Sequence, residues 1–483
     1  MTQSFWDASP ALREILTRKL SPSEFAWAEP RLREMGELAV RVVAPLAATA
    51  DRNSPRLVGN RVEYHPSYRE MEAIAYGSGM VSMKYDAQTR VSVPHGSHLV
   101  SFGLGYLFAM AEMGLYCPVC MTDGVARVIT RHGTAEQAAR VVPHMGSRDA
   151  AQRWTGAMFV TEKAGGSDVG ANETIARNGR LTGLKWFCSN VDANAVLITA
   201  RPEGASAGTK GLRTFLLLSR EGVQIERLKD KLGVRSMPTG EVRLTDAPAE
   251  EVGGFGAMLE MMNLSRLYNA VASVAVIGRA IHEARYYIER RIAFGRPVIE
   301  HPLAAETLFD LEAEHLAALL LTFETVDALQ RADNGDAEAA LLLRTLIPIV
   351  KAVTGKLAVP CVSEAMELIG GNAYIEESPL PRMLRDAQVL PIWEGTTNIM
   401  VLDALRVARK EGGHEILLAR IRRQFPREAE EIGAALSTLE ERAAREWVFR
   451  LARAFELTLL AEAGKDDAVE RLTRSSSMRA SSL

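Results

Sequence analysis

Cysteine is scarce, four in 483 residues. That is too few to staple a chain of this size, so a disulfide framework is excluded and a reducing compartment is expected. Neither sign of charge dominates: 57 Lys and Arg stand against 60 Asp and Glu, a net charge of -3. This excludes a global basic field for nucleic acid or anionic lipid and leaves only local patches. Long uninterrupted apolar runs are missing as well. The longest, such as residues 270–278, reach about half of the roughly 18–20 residues that a membrane span needs. The N-terminal MTQSFWDASP has neither the basic start nor the apolar stretch of a secretory signal. The expectation is a cytoplasmic, soluble protein with no membrane partner.

Several chemical signatures are also absent. No G-x-G-x-x-G follows a strand-like run, and GASAGTK at 204–210 misses the spacing of a phosphate-binding loop. None of the nine histidines belongs to an H-E-x-x-H helix. His95 and His98 have helical ligand spacing but no third ligand, so no metal is expected. Cys117 and Cys120 form a C-x-x-C, yet a redox pair needs a preceding strand and a βαβ frame. Their flanks are helical, and Met113, Leu115 and Met121 suggest buried packing.

What remains is an ordinary globular composition, 47% hydrophobic, 24% charged and 6% aromatic, in a chain long enough for two to four domains. Three textures follow one another. Up to about Arg153 the periodicity is helical, as in residues 31–49, with a loop expected over 51–64. From Met158 the runs LTGLKWFCSN, NAVLITA, LRTFLLLS, GVQIERL and GEVRLTD are short and rich in β-branched and aromatic residues. Turn residues separate them, which reads as a small antiparallel barrel or sandwich. After Gly256, long amphipathic helices are expected over 258–294, 304–331, 336–369 and 398–410, enough for a bundle. The last seventy or so residues are helical too, ending in the polar SSSMRASSL, expected to be disordered. The predicted fold is mainly α with a β domain. It comprises an N-terminal helical domain (1–155), a central antiparallel β-barrel (156–250), a C-terminal four-helix bundle (251–411) and an extra helical tail (412–483).

Five stretches carry the functional signal: MFVTEKAGGSD at 158–168, KWFCSN at 185–190, RIAFGRP at 291–297, ELIGG at 367–371, and RD at 385–386 followed by PIWEGTTNI at 391–399. In this order and context they resemble the acyl-CoA dehydrogenase superfamily over residues 30 to 410. The resemblance is closest to its AidB (alkylation-response) branch. Lys163 stands where most dehydrogenases have Pro, and Cys117-Pro with Met121-Thr122 also fits that branch.

The resemblance implies FAD as cofactor. It places Met158, Val160, Thr161, Gly166, Ser167, Phe187 and Ser189 at the flavin, with Phe187 against the ring. The hydroxyls of Thr161 and Ser189 suit hydrogen bonds to an isoalloxazine edge. Gly165, Gly166 and Ser167 form a loop that allows close backbone approach, although by itself it reads as a plain turn. A strand aromatic such as Phe187, by itself, reads as core packing. Phe294, Glu367, Gly370, Gly371, Thr396 and Asn398 are implied to bind FAD as well, and Arg291 is implied to reach the pyrophosphate of FAD held by a neighbouring subunit, hence a homo-oligomer, a tetramer. Glu367 departs from the family's usual Gln. Ser167, Arg266 and Gly395 are the implied substrate contacts.

Glu394 is the candidate catalytic base. Its apolar approach, Pro391-Ile392-Trp393, should dehydrate the carboxylate and raise its pKa toward neutrality; the competing reading is a helix N-terminal charge. The implied reaction removes the α-proton of an acyl-CoA thioester and passes the β-hydrogen as hydride to flavin N5, giving a 2-enoyl-CoA. The Glu394 backbone N–H and a ribityl hydroxyl of FAD would stabilise the enolate oxygen. Members with the base in another helix carry it one residue before an Arg. Here Ser265 precedes Arg266, so no second base competes, and nitroalkane oxidases carry Asp where this chain has Glu394. An electron-transfer flavoprotein is the implied acceptor.

The AidB branch supplies the rival: a flavoprotein with weak or no dehydrogenation that binds nucleic acid, or a silent FAD-bound scaffold. Against nucleic acid, residues 411–483 hold 12 Lys and Arg and 13 Asp and Glu. The clusters Arg420, Arg422, Arg423, Arg427 and Arg442, Arg445, Arg450, Arg453 are interleaved with glutamates, as on solvated helix faces. Tyr106, Met113, Met262 and Tyr268 are candidates for shaping an acyl pocket, or for plain core.

Overall fold

The computed structural model describes residues 4–479, which form two compact units: residues 4 and 29–268, and residues 5–28 with 269–479.

In the first unit, helix Ser97–Ala109 is almost wholly apolar and buried around Phe102, Tyr106 and Phe108. Helix Met113–His132 includes Cys117 and Cys120, which form no disulfide. A capping box starts helix Ala135–Met145: Thr134 accepts from the Gln137 N–H while the Gln137 side chain returns to the Thr134 N–H. The expected 51–64 loop contains a hairpin, Arg56–Val58 with Arg61–Glu63. It is fixed from outside its own sequence, because the Asn60 carboxamide donates to Val223 O and accepts from Ile225 N–H, both at 2.7 Å.

The β domain has eight strands: β1 (Gly156–Phe159), β2 (Ile175–Arg177), β3 (Arg180–Ser189), β4 (Ala195–Pro202), β5 (Arg213–Leu217), β6 (Val223–Leu228), β7 (Thr239–Pro248) and β8 (Glu250–Gly254). They form one sheet in the order β8-β5-β4-β2-β3-β7-β6, with β1 also on β4. Pairing is antiparallel except that β1 and β2 run parallel to β4, so the sheet is mixed where antiparallel strands alone were expected. Asn178 and Gly179, both at positive φ, make the two-residue turn joining β2 to β3. Phe159, Leu181, Cys188, Ile198, Phe215 and Val242 fill the core beneath.

The second unit is helical. The long helix Phe255–Ile288 enters it at Asn269, and Pro302–Asp333, Ala337–Ile369 and Thr397–Glu411 complete the bundle. Helix Ala337–Ile369 is long and apolar enough by composition to cross a membrane, but 72% of its apolar window is buried in the protein. Counting uninterrupted runs missed it, because single polar residues interrupt a stretch that is apolar on average. Tail helices His414–Gln424, Pro426–Leu436 and Ala444–Glu462 pack on the bundle with the N-terminal helix Pro10–Lys19. Helix Asp466–Arg479 takes in the first five residues of the SSSMRASSL tail that was expected to be disordered. Residues 480–483 lie outside the described residues.

Candidate functional site

A bulge shapes the β-domain surface on which the first group of candidate residues lies. The register of β3 against β7 shifts between Lys185 and Cys188, and both of those side chains are fully buried. The extra residue therefore turns Trp186 and Phe187 outward together. Phe187 is 55% exposed, so it is not core. Trp186 N–H donates to Thr161 O at 2.9 Å, which draws the chain after β1 alongside the bulge. Thr161, Ser189 and Met158 are half-buried around it, and Gly166 and Ser167 are exposed. Val160 points inward, and its carbonyl accepts from Asn172 at 2.7 Å, so its side chain adds nothing to this surface.

The loop after Thr161 is held by a buried ion pair that the sequence reading quoted within its motifs but gave no role. Lys185 Nζ lies 2.6 Å from Glu162 Oε1, with exposures of 0% and 4%. Glu162 also accepts from Thr174 Oγ1 and from the N–H groups of Glu173 and Thr174. Burial alone would raise the Glu162 pKa, but the adjoining ammonium and these donors hold it below the usual carboxylate value. Within the loop a side chain at Gly165 would strike Asp168 O at 2.4 Å, whereas one at Gly166 would meet only Thr161, at 3.5 Å.

In the second unit the long helix ends at Ile288, six residues short of expectation. Phe294 and Gly295, both at positive φ, form a tight turn in the hairpin Ile292–Ala293 with Arg296–Pro297, which no helix can include. Arg291 thus stands exposed at the base of a hairpin rather than in a helix's last turn, and Phe294 at the tip is 97% exposed. Glu367, Gly370, Gly371, Thr396 and Asn398 are exposed as well.

Glu394 lies in a loop between helices Leu380–Ala387 and Thr397–Glu411. It has φ 59 and is followed by Gly395 at φ 103, a left-handed pair that costs backbone energy unless the surroundings impose it. Three residues missed by the sequence reading impose it. Asn269 donates to Leu390 O at 3.2 Å and accepts from the Trp393 indole. Gly355 lets that carbonyl approach to 3.0 Å of its Cβ position. Lys351, wholly buried, donates to Gly395 O. Its sequence signal was an ammonium inside the apolar run LIPIVKAV. Helix Thr397–Glu411 has Thr396 as its N-cap, so Glu394 precedes the first turn and is not a helix N-terminal charge. The expected apolar enclosure is not formed by Pro391–Trp393 themselves. Ile392 is 60% exposed, the Trp393 indole turns to Asn269, and Glu394 is half-buried.

Arg266 is buried, donating to Asn263 at 2.8 Å. Tyr106, Met113 and Tyr268 are buried and Met262 is half-buried. Tyr268 donates to Asp123 Oδ2 at 2.8 Å, an oxygen that also takes the Lys84 ammonium. Among the described residues no cluster of three His, Cys, Asp or Glu is placed to hold a metal ion.

Three family models match consecutive parts of the chain. They are the AidB N-terminal domain over residues 1–150, the acyl-CoA dehydrogenase middle domain over 157–247 and the acyl-CoA dehydrogenase C-terminal domain over 253–409. The chain belongs to the acyl-CoA dehydrogenase family. It is 36% identical over 443 residues to acyl-CoA dehydrogenase family member 11 of Caenorhabditis elegans, covering 85% of this chain and 71% of the relative. It is 31% identical over 477 residues to the putative acyl-CoA dehydrogenase AidB of Escherichia coli, covering 88% and 85%. Among solved structures, Bd2924 in its apo-form superposes with a TM-score of 0.90 at 33% identity, covering 95% of this chain and 98% of that one. The C. elegans ACDH-11 complex with C11-CoA does so at 0.88 and 31%, covering 97% and 89%.

As an acyl-CoA dehydrogenase the protein uses FAD. The β-domain surface fits that group: an outward aromatic ring, two half-exposed hydroxyls, and a glycine at 166 whose missing side chain leaves room.

Proposed function

We propose that the protein catalyses FAD-dependent α,β-dehydrogenation of an acyl-CoA thioester to the 2-enoyl-CoA, with Glu394 as base. The observation that carries this is the left-handed Glu394–Gly395 pair, clamped by Asn269, Lys351 and Gly355. Strain of this kind persists where a side chain must be aimed. The acyl-CoA seen on the C. elegans relative supports the substrate class.

Thr161, Ser189 and Phe187 would hold the edge and face of the isoalloxazine. Arg291, Phe294, Glu367, Gly370 and Gly371 would serve FAD of a neighbouring subunit in a homotetramer. Their exposure in the single chain accords with that use. When bound, FAD supplies the two-electron acceptor that takes the β-hydrogen as hydride. Glu394 accepts the α-proton, and its geometry is fixed before substrate arrives. Electrons would leave to an electron-transfer flavoprotein, in the cytoplasm.

The nucleic-acid reading finds little support in the tail. Arg420 pairs with Glu324 and Glu462, Arg450 with Glu428 and Glu431, and Arg453 with Glu314 and Glu456. Arginines committed in this way are poor phosphate contacts.

The test is an anaerobic titration of the flavin-loaded protein with acyl-CoAs of graded length, following oxidised-flavin absorbance. Bleaching by one length class, lost in Glu394→Gln, is the expected result. A flavin that no thioester bleaches would refute the dehydrogenase reading and favour the scaffold.

A further inference from the structure

Beside the bulge lies a charged arrangement that the family reading does not absorb. The ammonium of Lys229, just past the end of β6, sits 3.9 Å from the centroid of Trp186 and 4.7 Å from that of Phe187. The exposures of Lys229 and its carboxylate partner Glu241 are only 11% and 9%, and the two are 2.7 Å apart. Lys229 is anchored as well as paired, its backbone N–H donating to Thr239 O at 2.8 Å. Glu241 is shared, accepting also from Arg227 at 2.6 Å. One carboxylate thus faces two cations. A further ammonium, that of the exposed Lys163, stands 5.6 Å from Trp186.

A cation over an aromatic face is favourable in itself. Here, however, one of the two rings it lies over, Phe187, is the one that the proposed function places against the flavin. A charge held in a poorly hydrated position acts over several ångströms with little screening. It favours whichever redox state of its neighbour is more negative, and protein charge near the isoalloxazine is a recognised means of tuning it. Lys163, in water, is screened and contributes less.

We infer that Lys229 is a positioning and tuning residue for the bound flavin, its ammonium raising the two-electron reduction potential and Glu241 setting by how much. The inference rests on the proposed function only in placing flavin against Phe187. It adds a residue to the redox chemistry without altering the proton transfer assigned to Glu394.

The experiment is a potentiometric titration of the FAD-loaded protein with dithionite and mediator dyes, comparing wild type with Lys229→Met, Lys229→Arg and Glu241→Gln. Lys229→Met should lower the midpoint potential. Glu241→Gln should raise it, since the ammonium loses its counter-charge, and Lys229→Arg should stay near wild type. The opposite signs separate charge from structure: mere loosening by a broken ion pair moves Lys229→Met and Glu241→Gln the same way. Potentials that are unchanged, or shifted in one direction by both variants, would overturn the inference while leaving the proposed function standing. If Lys229→Met does not fold, the sign of the Glu241→Gln shift decides alone. A wild-type protein that takes up no FAD would overturn both readings.

Discussion

Glu394 shows how single residues build this site from a distance. Its identity was legible in PIWEGTTNI, but its conformation depends on Asn269, Lys351 and Gly355, which lie elsewhere in the sequence. A side chain at Gly395 would have to adopt φ 103 and would meet Met400 Cε at 2.7 Å. We expect Gly395→Ala to cost roughly 1–2 kcal/mol, read by chemical denaturation, and to slow flavin bleaching by substrate while FAD still binds. Lys185 makes a second residue-scale case. Removing one partner of a buried ion pair strands the other charge, so Lys185→Met should destabilise by about 3–5 kcal/mol, seen as a lower urea midpoint. Both members were visible inside their motifs, yet only the paired strands show that Glu162 and Lys185 meet.

At the scale of elements, periodicity located the long helices and the strands, but not where they stop or which way a side chain turns. The Phe294–Gly295 turn ended one helix early. The bulge in β3 brought out two consecutive aromatics where alternation would bury one. Tail helix Ala444–Glu462 makes a testable contact. Glu456 is buried on it, and burial pushes its carboxyl from 4.5 up to about 7, with Arg453 opposing and Glu314 reinforcing the shift. Between those values the folded protein holds a proton that the unfolded chain has released, so stability falls as pH rises through the window. The loss should be on the order of 3 kcal/mol. Denaturant midpoints measured from pH 4.5 to 7.5 should show that slope, and Glu456→Gln should flatten it.

For the whole molecule the informative surface is the exposed hairpin with Phe294 at its tip. An aromatic side chain left this far in solvent serves an assembly better than a monomer. Phe294→Asp should therefore give smaller species in sedimentation velocity and lose FAD on dilution. A variant of unchanged mass and flavin content would argue against the shared site.

Composition, periodicity and motif order determined the fold class, the family, the cofactor and the identity of Glu394. These depend on residue type and spacing, which a sequence states directly. Only the tertiary structure decided that Phe187 faces out, that Arg291 leaves its helix, that Lys351 holds the Glu394 loop and that Lys229 lies on the aromatic pair. Each of these depends on chain segments brought together by strand register and helix packing, and spacing along one segment carries no information about them.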